Sequence, residues 1–158
     1  MGKLEYPLFK NSPHGESAAQ ELDFLQLRGG FNFGWTQRDY YHSKYAQYNR
    51  DQFANDIYLA MGNTGVHGRW VHLYINGLYW GIYHIHERPD ADYMETYFGE
   101  SELGYDAINS SSATNGSMTN FNAMANFTAK RINSPQDFKI LEKHLHVDSF
   151  IDYICLLY

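Results

Sequence analysis

At 158 residues the chain has the size of one domain or part of one, and a content of 44% hydrophobic and 19% charged residues excludes both a disordered tail and a fibrous repeat. A net charge of −6 without any Lys/Arg run argues against nucleic acid or an anionic membrane as the main partner, and a single cysteine, Cys155, excludes an internal disulfide framework and a cysteine-based zinc site. No window approaches eighteen uninterrupted apolar residues, and the start Met1-Gly2-Lys3-Leu4-Glu5-Tyr6-Pro7 has no apolar core, so neither a spanning helix nor a leader peptide is expected within these residues.

Aromatic residues make up 17% of the chain, which suits a two-sided sheet or an aromatic-lined cleft. In chain order, Glu21 to Arg28 alternates loosely after a polar lead-in and reads as a strand running into Gly29-Gly30. From Tyr48 to Met61, a step of about 100° per residue puts Phe53, Ile57, Ala60 and Met61 on one stripe, with Gly62 where a left-handed cap would sit. On that wheel Asp56 and Arg50 flank the stripe and Asp51 points away from it, so Asp56 is the acid expected to reach inward.

The strongest local signal lies between Arg69 and Glu87, where two strand-like runs are separated by Asn76-Gly77, the preferred dipeptide of a type I′ hairpin turn. An unbroken ladder from that turn pairs Ile75 with Leu78, Leu73 with Trp80 and Val71 with Ile82 on one face. The other face pairs Tyr74 with Tyr79 and Trp70 with Tyr83, and His72 meets Gly81. Both faces are expected to be buried or half-buried, one of them against the helix carrying Phe53 and Ile57.

Pro89 closes the second strand, and Asp90 to Phe98 reads as a short helix capped by Asp90 and Gly99. Tyr105 to Asn109 is a candidate strand, and Ser110 to Asn120 is a Ser/Asn-rich loop whose composition also accounts for the Asn-x-Ser/Thr sequons at Asn109, Asn115 and Asn126. Phe121 to Ile132 has helical spacing, and Ser134-Pro135-x-Asp137 caps a helix over Phe138 to Leu145. In the last run, Asp148 to Tyr158, Phe150, Ile151, Ile154 and Leu157 share one side. The chain is therefore expected to end inside a buried helix, as a fragment of a longer protein.

Three constellations could carry chemistry. Arg28, followed by Gly29, Gly30 and Gly34, offers a cation and permissive backbone to phosphate oxygens, although no G-x-x-x-x-G-K-[ST] pattern is present. The strand end His84-Ile85-His86-Glu87-Arg88-Pro89-Asp90 sets charged groups at the rim of a packed sheet. Extending the hairpin ladder puts His67 opposite His86, with His84 on the same face, a possible imidazole site for zinc that lacks a fourth ligand. No G-x-S-x-G elbow or H-E-x-x-H motif is present, and Cys155 lies in an apolar run.

Taken together, several strings resemble, in order and spacing, the spore-coat CotH kinase family over about residues 4 to 158. They are Phe24-Leu25-Gln26-Leu27-Arg28-Gly29-Gly30, Arg50-Asp51-Gln52-Phe53 through Leu59-Ala60-Met61-Gly62, Val71 to Tyr83 with its YINGLYWGIY core, Glu87-Arg88-Pro89-Asp90, and Tyr105-Asp106-Ala107-Ile108-Asn109. The resemblance implies an atypical kinase that transfers phosphate from ATP to serine or threonine of a protein substrate, with Mg²⁺ or another divalent metal. It also implies an α+β fold, an antiparallel sheet with a packed αC-like helix forming a kinase-like N-lobe over 1–88, followed by the start of a helical C-lobe over 89–158.

On that comparison Arg28 takes the place of the kinase strand lysine at the nucleotide phosphates, Asp56 orients it as an ion-pair partner, and Glu87 to Asp90 form the hinge, with Glu87 at the nucleotide. The catalytic and metal-binding groups of the family follow the segment matching Phe150 to Tyr158, so no catalytic or metal residue is assigned within the chain. His84 and His86 depart from the residues expected in typical members. By the same resemblance the setting is a spore coat or extracellular one. The alternative is a non-catalytic module that binds carbohydrate or protein through Trp35, Trp70, Tyr74, Tyr79 and Trp80. A third possibility is a degenerate member that holds nucleotide without transferring phosphate.

Overall fold

The Asn76-Gly77 turn forms as expected, both residues at positive φ (50° and 79°), the backbone that a type I′ turn requires. It joins β4 (Gly68–Ile75) to β5 (Leu78–Glu87) in the computed structural model, which describes residues 2–30, 43–130 and 132–158. Gly34 and Trp35 lie outside the described residues. The expected strand over Glu21 to Arg28 breaks at Asp23-Phe24 into β2 (Glu21–Leu22) and β3 (Leu25–Arg28). Asp23 is held by Lys3 at 3.0 Å and the Phe24 ring lies 5.8 Å under the Arg88 guanidinium, so the chain turns between two sheets there. β2 pairs with β1 (Leu4–Glu5), while β3 joins the hairpin in the order β3-β5-β4, all antiparallel.

The hairpin ladder is not continuous. Ile75 pairs with Leu78 and Tyr74 with Tyr79, but Leu73 then meets Gly81, leaving Trp80 as the extra residue of a β-bulge. Gly81 stands at φ 124°, a backbone few other residues adopt. Every pair beyond the bulge is offset by one from the uninterrupted register: Val71 faces Tyr83, Trp70 faces His84, and His72 faces Ile82 instead of Gly81. The far end of the hairpin is also more open than its composition implies, with Tyr74, Ile75, Leu78, Tyr79, Trp80 and Ile82 all exposed.

Helix α1 (Arg50–Ala60) ends at Met61, and Gly62 follows at φ 86°. It docks on the sheet with a different face from the apolar stripe: Phe53 is 61% exposed and Gln52 is buried. The reason is polar. His84 Nε2 donates to Gln52 Oε1 at 2.8 Å, and Gly68 on the neighbouring strand leaves room for that bond. A Cβ at position 68 would come 2.6 Å from His84 Nε2 and closer still to Gln52 Oε1. Gly68→Ala is therefore expected to cost about 1 to 3 kcal/mol in chemical denaturation, and an unchanged midpoint would refute this packing account.

Helix α2 (Ala91–Phe98) has the expected ends, with Asp90 accepting from Tyr93 N and Gly99 at φ 77°. The Ser/Asn-rich stretch, expected as a loop, instead contains β7 (Ser112–Asn115), paired with β6 (Ala107–Asn109), and the first residues of α3 (Thr119–Thr128). Asp106 holds this turn by accepting from Ser117 N at 2.6 Å and Asn120 Nδ2 at 3.0 Å. Composition reports polarity there and is silent on pairing. The Ser134/Asp137 capping box starts α4 (Pro135–Leu141), and its hydrogen bonds hold the Asp137 carboxyl below its ordinary pKa.

The final helix, α5 (Val147–Leu157), leaves Phe150, Ile151, Ile154 and Leu157 exposed, contrary to the buried ending expected from its apolar side. It docks on α1 through polar groups: Ser149 Oγ donates to Asn63 Oδ1 at 2.7 Å, Asn63 Nδ2 to Asp152 at 2.8 Å and Tyr58 OH to Ser149 O at 3.2 Å. Among the described residues, the buried apolar side chains are Phe9, Leu22 and Ala91, outnumbered by Gln52, His67, His84, His86, Glu87 and Asp90. Hydrogen bonding thus specifies this interior to an unusual degree.

Candidate functional site

Cross-strand pairing sets the site. Arg28 lies opposite His84 and Gln26 opposite His86, while Trp70 and Gly68 flank the same two histidines from β4. Paired residues share a face, so these six line the side of the sheet on which α1 rests. There Arg28 Nη1 donates to Asp51 Oδ2 at 2.9 Å. The expected Arg28–Asp56 pair is corrected by this geometry: Asp56 Oδ1 accepts from Gln52 Nε2 at 2.6 Å and lines a different hollow. Asp51 stands in the first turn of the helix, beside the strand end, whereas Asp56 lies about 7.5 Å further along the axis. Both partners of the bridge are about 40% exposed, so it contributes little to stability and mainly positions the guanidinium.

Gln52 fixes the protonation pattern behind this pair. Because its amide nitrogen donates to Asp56, its oxygen must accept, and His84 therefore carries its proton on Nε2. His84 lies 4.8 Å from the Trp70 ring and stacks on His86 at 5.1 Å. Burial, with the neighbouring His86 and Arg28, pushes its pKa down to about 4, and burial also lowers that of His86, so both rings are neutral near pH 7. His86 Nδ1 donates to the Glu87 carbonyl at 2.6 Å, and its Nε2 is buried without a partner among the described residues.

Glu87 turns the other way. Its Oε2 accepts from His67 N at 2.8 Å and contacts His67 Nδ1 at 2.9 Å, while its Oε1 accepts from Tyr97 OH at 2.5 Å. Ser17 Oγ lies 3.0 Å from His67 Nε2, and Ala19 N donates to the Tyr97 hydroxyl at 3.0 Å. Burial and the bond to Glu87 raise the Tyr97 pKa far above the ordinary phenol value. The Glu87 carboxylate expected at the nucleotide is thus spent internally, tying the strand end to α2 and to the segment before β2. The three-histidine grouping is corrected for the same reason: the bulge at Trp80 moves His67 from His86 to Glu87, whose backbone N–H donates to the His67 carbonyl at 3.1 Å.

Between the sheet and α1 lies a cleft of about 410 Å³, lined by Gln26, Arg28, Asp51, Asn55, His84, His86 and Pro89 among others. Gly30, at φ 93°, turns the chain beside it, and Gly29 packs against Tyr83, where a Cβ would come within 3.2 Å of the ring. Asp51 is the carboxylate lining this cleft, and it is engaged by Arg28. Among the described residues, no second carboxylate lines this cleft. Asp92, Glu95 and Glu102 do converge, on α2 and the turn after it, and none of them lines this cleft. Sequence reasoning missed Asp51, Gln52, Gln26 and Tyr97. Cross-strand pairing could have flagged Gln26, but nothing local marks Tyr97.

The fold and site together describe an α+β domain in which a strand-end arginine is held by a helix acid at the wall of a polar cleft. The chain belongs to the CotH kinase protein family, whose model matches residues 42–156, and it is kinase-like at that level. Arg28 precedes the matched span. No curated protein and no solved structure matches the chain.

Proposed function

We propose that this chain forms the nucleotide-holding part of an atypical kinase that transfers phosphate from ATP to serine or threonine of a protein substrate. The observation that carries this reading is the Arg28–Asp51 bridge at the cleft wall, in a chain of the CotH kinase family. Protein kinases set a strand lysine against a glutamate on the following helix so that the cation meets the nucleotide phosphates. Here strand β3, helix α1 and then β4 and β5 follow in that order within one sheet, and Asp51 takes the helix role. Glu87 to Asp90 serve as a hinge through the backbone, with the Glu87 side chain as its anchor. The proposed division into lobes at 88/89 is bridged by Tyr97 to Glu87 and by α5 to α1.

In transfer, the substrate hydroxyl oxygen bonds to the γ-phosphorus as the bond to the ADP oxygen breaks, the hydroxyl proton passes to the base that positions it, and Arg28 offsets charge on the phosphates. The groups that position the hydroxyl and the metal are expected, by the family resemblance, after the segment matching Phe150 to Tyr158. Residues 1–158 alone are accordingly expected to show no turnover with radiolabelled ATP and a Ser/Thr-rich protein. Arg28→Ala should weaken nucleotide binding about tenfold or more, roughly 1.5 to 3 kcal/mol, and Asp51→Ala less, because it only frees the guanidinium. Metal-dependent transfer by these residues alone, or Arg28→Ala binding ATP normally, would refute the assignment. A carbohydrate-binding reading has the exposed Tyr74, Tyr79 and Trp80 in its favour, but the Tyr74 and Tyr79 rings are tilted by 49° and Trp70 packs on Tyr48 and His84, so they make no flat platform.

A further inference from the structure

His86 is the feature the phosphate reading leaves unused. It is 7% exposed, it lines the Arg28 cleft, and its Nε2 is the buried side-chain atom without a hydrogen-bond partner among the described residues. Buried polar atoms are paired in the great majority of cases, so an orphan beside a cleft calls for an explanation. The tautomer is determined: Nδ1 donates to the Glu87 carbonyl, so Nε2 of the neutral ring presents a lone pair and can only accept. Stacking on His84, itself held by Gln52, keeps the ring in place.

Its position within the site is equally defined. Arg28 and His84 form one cross-strand row, and Gln26 and His86 form the next row on the same face, about 7 Å further towards Pro89. With the phosphates at the Arg28 row, the base end of a nucleotide lies along the His86 row. We propose that His86 Nε2 accepts a hydrogen bond from the 6-amino group of adenine and so selects ATP over nucleotides lacking that donor. Guanine presents a carbonyl oxygen at the same ring position, and two facing acceptors repel. This inference rests on the nucleotide reading above.

The test compares ligands on the unmodified chain by calorimetry or ligand-observed NMR: ATP, GTP, purine riboside 5′-triphosphate, which has hydrogen at the 6-position, and inorganic tripolyphosphate, which has no base. ATP should bind about tenfold more tightly than purine riboside triphosphate, and GTP more weakly still. His86→Leu should make ATP and purine riboside triphosphate equal. If tripolyphosphate and ATP both bind and ATP shows no advantage over purine riboside triphosphate, the role of His86 falls and the phosphate site stands. If neither tripolyphosphate nor ATP binds, the nucleotide reading falls and takes this inference with it. A folding defect in the variant does not affect the ligand comparison, which needs no substitution.

Discussion

Glu87→Ala is expected to lower the unfolding free energy by roughly 3 to 5 kcal/mol, because the buried carboxylate accepts from several donors and each buried group left unpaired costs about 1 to 3 kcal/mol. The residue is 1% exposed, and its loss removes the acceptor of the buried His67 N and breaks the bonds of the carboxylate to His67 Nδ1 and the half-buried Tyr97 hydroxyl. Because this network joins β5, α2 and the residues around Ser17, its loss should also weaken protection of those segments in hydrogen exchange. Glu87→Gln keeps an acceptor and should lose less. A urea midpoint for the alanine variant within about 0.5 kcal/mol of the parent would show that the carboxylate is not the anchor described here. A separate fall in nucleotide affinity for correctly folded Glu87→Gln would restore the side-chain role read from the sequence.

Acidification below about pH 6.5 should destabilise the fold. His84 has a folded-state pKa of about 4 against an ordinary 6.5, so the unfolded chain binds that proton first as the pH falls. Its contribution is complete above pH 6.5, declines between 6.5 and 4, and is gone below. The loss should amount to roughly 2 to 3 kcal/mol, and His86, lowered in the same direction, adds to it. Burial is the main cause of this shift; His86 and Arg28 from the sheet further disfavour the charged ring, and Asp51 from α1 opposes them. Equilibrium denaturation at steps between pH 7 and 4 provides the measurement, with His84→Asn as the reference that lacks the titration. A parent and a variant with the same pH slope would rule the mechanism out.

Local chemistry was legible in the sequence wherever one turn or cap decides the backbone. Asn76-Gly77, Asp90 with Gly99, and Ser134 with Asp137 each do so over a few residues, and each forms the element expected. The resemblance carried by the hairpin string is matched by the family result. Tertiary structure decided the rest, because two small displacements propagate. One extra residue at Trp80 offsets the ladder, separating His67 from His86 and handing it to Glu87. One polar contact, Gln52 to His84, docks α1 on the sheet with Asp51, in its first turn, at Arg28, while Asp56 lies about 7.5 Å further along the axis and bonds Gln52 instead. An apolar stripe predicts a helix orientation only when the surface receiving it is apolar, and here that surface carries two neutral histidines and a glycine gap. Such a surface is assembled from strands distant in the chain, so its polarity and its register exist only after folding.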